Sequence, residues 1–185
     1  LGIVKKERPF GDENAKHAIW AICDSFFRFW YRFVPANWSL LQAGMLDIGA
    51  ERVMRMLPDY MGREFERICE QWLWRMNGHA LPFVMLESGY WWGTDQRSRQ
   101  QEEIDIVAKG DEGAMLFCEC KWRNELMGID QFDKLVWRSE RFAALQKTYI
   151  MFSKSGFDKA LVKEAAARKD LILVELQDIC ASATA

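Results

Sequence analysis

No run of 18 or more apolar residues occurs in this chain, so nothing in it reads as a membrane span. The opening residues, LGIVKKERPF, lack the long apolar stretch of a secretory signal peptide. There is no C-x-x-C pair, and the five cysteines are odd in number and scattered. That fits reduced thiols in a cytoplasmic protein. Cys118 and Cys120 form a C-x-C, which His79 or Cys180 could extend to a zinc site; alternate strand positions more often bury two small apolar thiols. An excess of positive charge is also missing: Lys+Arg 25 against Asp+Glu 27 gives a net charge of −2. A general nucleic-acid coat is thereby excluded, and any such binding must be local. No internal repeat, low-complexity tract or long flexible linker is present.

What is present is 185 residues, half of them apolar, enough for one full core with a small appended subdomain. Nine tryptophans are many for this length, and some are expected to cover surface that the chain alone cannot bury, which implies a partner. The chain opens on Leu rather than Met, in mid-pattern, and reads as a piece of something longer. Residues 1–12 read as an extended segment ending in a Pro-Phe-Gly turn. From Asn14 to about Val34 the apolar series Ile19, Ile22 or Cys23, Phe26, Phe29 or Trp30, Phe33 has helical spacing. A short helix is expected over Trp38 to Ala43, and a third helical region from Ala50 that pauses at Pro58, resumes at Gly62 and ends at Asn77-Gly78.

After Gly78 the texture changes. ALPFVMLESGYWWG, EEIDIVAK and AMLFCECKW read as strands, a helical pattern runs from Gly128 to about Leu145, and TYIMFS reads as a buried strand. FDKALVKEAAARK is a helix and LILVEL a further buried strand. The second half is thus α-β-β-β-α-β-α-β, an α/β sheet covered by helices.

The chemistry lies in QEEIDIVAKGDEGAMLFCECKWRNE, residues 101–125. Strand side chains alternate, so Glu103 and Asp105 share one face of the first run, and Glu119 and Lys121 share one face of the second. Placing Asp105 across from Glu119 requires a three-residue turn, Asp111-Glu112-Gly113, with Gly113 left-handed. A two-residue turn would set Asp105 against Cys118 instead. Two adjacent carboxylates repel unless a cation lies between them, and hard Mg²⁺ or Mn²⁺ is the natural occupant. In GREFERICEQWLWRM, Glu66 falls on the border of the apolar face of Phe65, Ile68, Cys69, Trp72, Leu73 and Met76, whereas Arg63, Glu64 and Arg67 point elsewhere. A border carboxylate on a helix packed on the hairpin can reach its polar face.

EID on one strand and ECK on the next, after a helix bearing Glu66, resembles the PD-(D/E)XK nuclease superfamily, whose core order α-β-β-β-α-β is the order read above. More narrowly, FFRFWYRFV, GREFE, GYWW, EIDIVA and CECKW resemble the nuclease-like domain at the C-terminus of certain prokaryotic AAA+-type ATPases. The resemblance implies a restriction-endonuclease-like α/β core with an added α-β, preceded by a helical subdomain. Residues 1–12 would be the tail of a winged-helix-like segment, 13–60 a helical connector and 61–185 the nuclease-like domain. It implies Asp105, Glu119 and the Cys120 carbonyl as ligands of Mg²⁺ or Mn²⁺, Lys121 as the catalytic lysine and Glu66 as the helix carboxylate. The ATPase itself is not in this chain, since no G-x-x-x-x-G-K-[ST] occurs. Pro58-Asp59 precedes a helix and does not stand for the superfamily's Pro-Asp; its glutamine-containing helix motif is matched weakly by Gln131.

Three functions follow as expectations. The first is a metal-dependent DNA endonuclease module; the second is an inactive nuclease fold that binds DNA. The third is a protein-interaction or regulatory domain of an ATPase, for which the tryptophans and the near-neutral charge argue. The expected partners are DNA, bound weakly by this chain alone, the ATPase portion of the same or a partner chain, and further copies of the chain, with no membrane. Arg97, Arg99, Lys109, Arg123 and Arg138 are rim candidates for phosphate, each singly best read as solvated charge. The aromatic run from Phe26 to Phe33 reads as core, not as a base-stacking platform.

Overall fold

The computed structural model describes residues 2–12, 18–94 and 99–182. The chain divides into two compact units, Leu1–Tyr60 and Met61–Ala185. Among the described residues no helix is long and apolar enough to cross a membrane.

In the first unit, β1 (Val4–Glu7) and β2 (Ile19–Ile22) pair antiparallel, Val4 against Ile22 and Glu7 against Ile19. Helical spacing had placed Ile19 and Ile22 in a helix. The structure corrects this: the helix α1 spans only Ser25–Phe33, because the Asp24 carboxylate accepts the Phe27 N–H at 3.0 Å and caps it there. The expected start at Asn14 lies outside the described residues. Phe33 is buried against Phe29 and Tyr60, with ring centroids 4.8 and 5.2 Å away. Helix α2 spans Trp38–Gln42. Helix α3, Leu46–Met76, runs without a pause through Pro58. A proline deletes one N–H and crowds the preceding turn, yet the helix continues on both sides of it.

In the second unit, α3 ends before Gly78, whose φ of +77° only glycine adopts without strain. The Asn77 side chain then ties the chain to the next strand, accepting the Met85 N–H at 2.8 Å and donating to the Met85 carbonyl at 3.0 Å. There follow β3 (Met85–Thr94), β4 (Gln101–Gly110), β5 (Ala114–Lys121), α4 (Ile129–Ser139), β6 (Gln146–Ser153), α5 (Lys159–Ala167), β7 (Leu171–Glu175) and α6 (Leu176–Ala181). The strands form one mixed sheet in the order β3-β4-β5-β6-β7, antiparallel through β5 and parallel from β5 to β7. One face packs Phe65, Cys69 and Leu73 of α3 and Ile179 of α6 on Ile106, Leu116, Cys118, Ile150 and Val174. On the other, Phe132 of α4 meets the Tyr149 ring at 5.5 Å, and Phe117 meets Tyr149 and Phe142. Strand β5, central in the sheet, is buried from Ala114 to Cys120.

Candidate functional site

The hairpin β4–β5 has the register in which Ile106 faces Cys118, Val107 faces Phe117 and Lys109 faces Met115. This is the register that the three-residue turn requires. Asp111–Gly113 form that turn, with Glu112 at φ 49° and Gly113 at φ 76°. The ladder between the two strands is regular as far as Ile106 and Cys118. One step further, backbone pairing gives way to a side chain: the Asp105 carboxylate accepts the Cys120 N–H at 2.7 Å.

The cause is a bulge on the other edge of β4. Gly89 faces Val107 and Trp91 faces Ile104, so Asp105 and Ile106 together stand opposite the single residue Tyr90. A bulge bends the strand and re-aims a side chain. Here it turns the Asp105 carboxylate into the gap between β4 and β5. An antiparallel residue directs its N–H and C=O to the same neighbour. The Cys120 carbonyl therefore also points toward β4, while the Lys121 carbonyl is taken from the β6 side by the Lys154 N–H at 3.0 Å.

Asp105 and Glu119 are 8 % and 5 % exposed. Glu119 pairs through one oxygen with Lys121 and through the other with Arg138 Nη1 at 3.4 Å; Arg138 Nε reaches Glu102 at 2.8 Å. Burial first, and then the Glu119 charge, push the Asp105 carboxyl well above the ordinary carboxylate range, against the pull of Lys121 and the Cys120 N–H. Burial raises Glu66 too, although Arg63 beside it opposes this. Burial alone would lower Lys121, but Glu119 and Asp105 outweigh it and hold the ammonium above the usual lysine value. At neutral pH the lysine is a fixed positive charge.

The structure thus brings Asp105, Glu119, the Cys120 carbonyl and Lys121 together at the end of the hairpin, with half-buried Glu66 of α3 near enough to act on the charge of Asp105. It also adds residues that alternation did not reveal. The Tyr90 hydroxyl donates to Glu103, and the Arg63 guanidinium lies over the Tyr90 ring, 5.5 Å from its centroid. Arg63 had been placed elsewhere on the helix; its length carries it back to Glu66 and Glu103, which help hold its pKa above the ordinary arginine value against burial. Arg138 was legible only as one rim candidate among five. The border argument applied to Glu66 would have singled it out, since it neighbours the buried Leu135 and Ser139 of α4. Of the other candidates, Arg99, Lys109 and Arg123 are exposed, and Arg97 lies outside the described residues. Gln131 accepts the Gly128 N–H at 2.6 Å and so caps α4.

The donor set is all oxygen: two carboxylates and a carbonyl. That suits Mg²⁺ or Mn²⁺, which are held by one or two carboxylates and complete their shells with water and phosphate oxygens. It does not suit a cage of protein side chains, and among the described residues no group of three or more His, Cys, Asp or Glu could hold a metal ion. Cys118 and Cys120 lie in the core beside Cys69, so the C-x-C packs as apolar thiols and the zinc alternative lapses.

The uncharacterised protein MJECL04 of Methanocaldococcus jannaschii is 27% identical over 151 residues, 71% of this chain and 33% of that one. The chain therefore spans about a third of the length of this curated relative. The crystal structure of the protein of unknown function AF1548 superposes with a TM-score of 0.41 and 18% identity, covering 68% of this chain and 66% of that chain. That likeness is too slight to argue from. The family DUF234, archaea bacterial proteins of unknown function, matches residues 30–134, more than half of the chain, and the chain belongs to that family.

Proposed function

We propose that the second unit is a metal-dependent phosphodiesterase of the restriction-endonuclease-like type, cleaving DNA. The observation that carries this reading is Asp105: a buried carboxylate turned by a bulge into the gap beside Glu119 and Lys121. Burying like charges side by side costs stability, and folds retain such clusters mainly where they are used. The element order α-β-β-β-α-β agrees with that fold type.

Asp105, Glu119 and the Cys120 carbonyl would hold Mg²⁺ or Mn²⁺. When bound, the cation supplies neutralisation of the scissile phosphate and a water of lowered pKa. Lys121, protonated and anchored to Glu119, orients the attacking water and stabilises charge on the phosphate oxygens. Glu66, whose carboxyl burial raises above its ordinary range, would be the group to exchange a proton with that water. Water oxygen bonds to phosphorus, and the phosphorus–oxygen bond to the departing sugar breaks, leaving a phosphate monoester and an alcohol.

The test is cleavage of DNA with each ion. Mg²⁺ or Mn²⁺ should support it, and Ca²⁺ should bind without turnover. Lys121→Ala should lower the rate by about a hundredfold or more with metal binding kept, whereas Asp105→Ala should lose both. A parent chain that neither binds a divalent ion nor cuts DNA would sink this reading. With a net charge of −2, binding of DNA by this chain alone is expected to be weak and to fall steeply with salt. We place the domain in the cytoplasm, working with an ATPase portion of the same or a partner chain.

A second reading has an observation of its own. Both Glu119 oxygens are already in ion pairs, with Lys121 and Arg138. If the cluster is only structural, the domain is an inactive nuclease fold serving DNA binding or regulation. Both Asp105→Ala and Glu119→Ala would then simply unfold more easily.

A further inference from the structure

We propose that Arg138 is a movable counter-charge: it neutralises Glu119 in the metal-free cluster and withdraws onto Glu102 when a divalent cation enters, so that Glu102 sets the affinity of the site for its cation. This rests on the metal reading of the cluster given above.

Glu119 has two oxygens and two partners, Lys121 on one and Arg138 on the other. A cation that takes Glu119 as a ligand must displace one of them. Lys121 sits two residues along the same strand, close against its oxygen, and leaving would strand a mostly buried ammonium. Arg138 is held differently. Its contact with Glu119, at 3.4 Å, is the longest in the cluster, and its Nε already lies 2.8 Å from Glu102.

The guanidinium offers five donors in a rigid fork, so it can close on Glu102 with two of them without losing its own pairing. Arg138 and Glu102 are 19 % and 13 % exposed as side chains, dry enough for the pairing to matter and open enough for it to shift. Glu102 stands on β4 three residues before Asp105 and Arg138 on α4, so the two layers that carry the pair flank the metal ligands. Two opposite effects follow. Arg138 opposes the cation both by occupying Glu119 and by like charge. Glu102 relieves that opposition by giving the guanidinium somewhere to go.

The test is a calorimetric titration of Mn²⁺ alone into the full chain, for the parent, Arg138→Ala, Glu102→Gln and the double variant. R138A should tighten binding on the order of tenfold, and E102Q should weaken it by a similar factor. The double variant should match R138A, because Glu102 acts only through the arginine. Simple long-range electrostatics predicts instead that the E102Q effect persists undiminished when Arg138 is absent. That result, or an R138A variant no tighter than the parent, overturns the proposal while leaving the metal reading standing. If neither the parent nor R138A binds Mn²⁺, the metal reading falls and this proposal with it. Thermal melts check that each variant is folded. Arg138→Gln, which can still donate to Glu102 without charge, replaces R138A if that variant does not fold, with the same expected sign.

Discussion

Asp105 is a buried carboxylate held next to another. It is almost wholly out of water, beside a second carboxylate, with one backbone N–H and one ammonium in compensation. Its folded pKa is raised above its ordinary value by that burial and by Glu119. An unfolded aspartate titrates near about 3.9. Between that and the folded value the native state binds the extra proton, so the stabilisation is complete below the unfolded pKa and is lost as pH rises through the folded one. Asp105→Asn keeps an oxygen to accept the Cys120 N–H and has no charge to bury. In the presence of a chelator, the parent should therefore lose stability relative to D105N as pH is raised from about 4 to 8. Urea melts across that range measure it; a difference that is flat, or that favours the parent at high pH, contradicts the burial described. At this scale the sequence was informative. Alternation and charge pointed to Glu103, Asp105, Glu119 and Lys121, because a strand period of two is local, and the resemblance of EID and ECK narrowed them to the last three. Tyr90, Arg63 and Glu102 were not legible, since what joins them to the site is a bulge and two long cationic side chains, neither of which leaves a period.

The hairpin is where register becomes geometry. Turn length decides which residues of β4 and β5 face each other, and glycine decides the turn. Gly113 sits at φ +76°, and a Cβ there would also come within 3.3 Å of the Leu145 side chain. Gly113→Ala should cost about 1–2 kcal/mol, the penalty of a left-handed conformation, read as a shift of the urea midpoint. An unchanged midpoint would mean that the turn is not held as described. Gly110 is needed for a different reason: a Cβ there would stand 2.1 Å from the Phe83 ring. That contact joins residues 27 positions apart, and no local pattern announces it. Two other elements departed from expectation for physical reasons. Ile19 and Ile22 satisfy helical spacing equally well as a four-residue strand, and pairing with Val4–Glu7 settles it. Pro58 reads as a breaker on propensity alone, yet α3 runs through it.

At the scale of the whole molecule, an α/β sheet covered by helices was expected from the order of patterns; its mixed strand directions and the first unit's ribbon were not. For the ribbon the reason is length: two four-residue strands carry too few side chains to show a period. The first unit leaves Trp20, Phe26, Tyr31 and Trp38 largely exposed, the first at 72 %, which corrects the reading of the run from Phe26 to Phe33 as core: of that run only Phe33 is buried. Apolar side chains gathered in so small a unit are expected to find a partner, another copy of this chain included. Sedimentation over a rising concentration series should show self-association, weakened by Trp20→Ser and Trp38→Ser; a chain that stays monomeric throughout excludes it.

The core thiols have a chemical consequence. Only thiolates react readily with peroxides and disulfides. Burial pushes Cys118 and Cys120 well above the ordinary thiol range, and Cys69 beside them is equally sealed from solvent. Oxidants are left with Cys23 and Cys180, the exposed pair, neither of them on the hairpin. The two thiols of the strand that carries Glu119 and Lys121 are thereby shielded from oxidants for as long as the sheet stays closed. The sulfur that borders the acidic cluster is sheltered by the same packing that makes its charges costly.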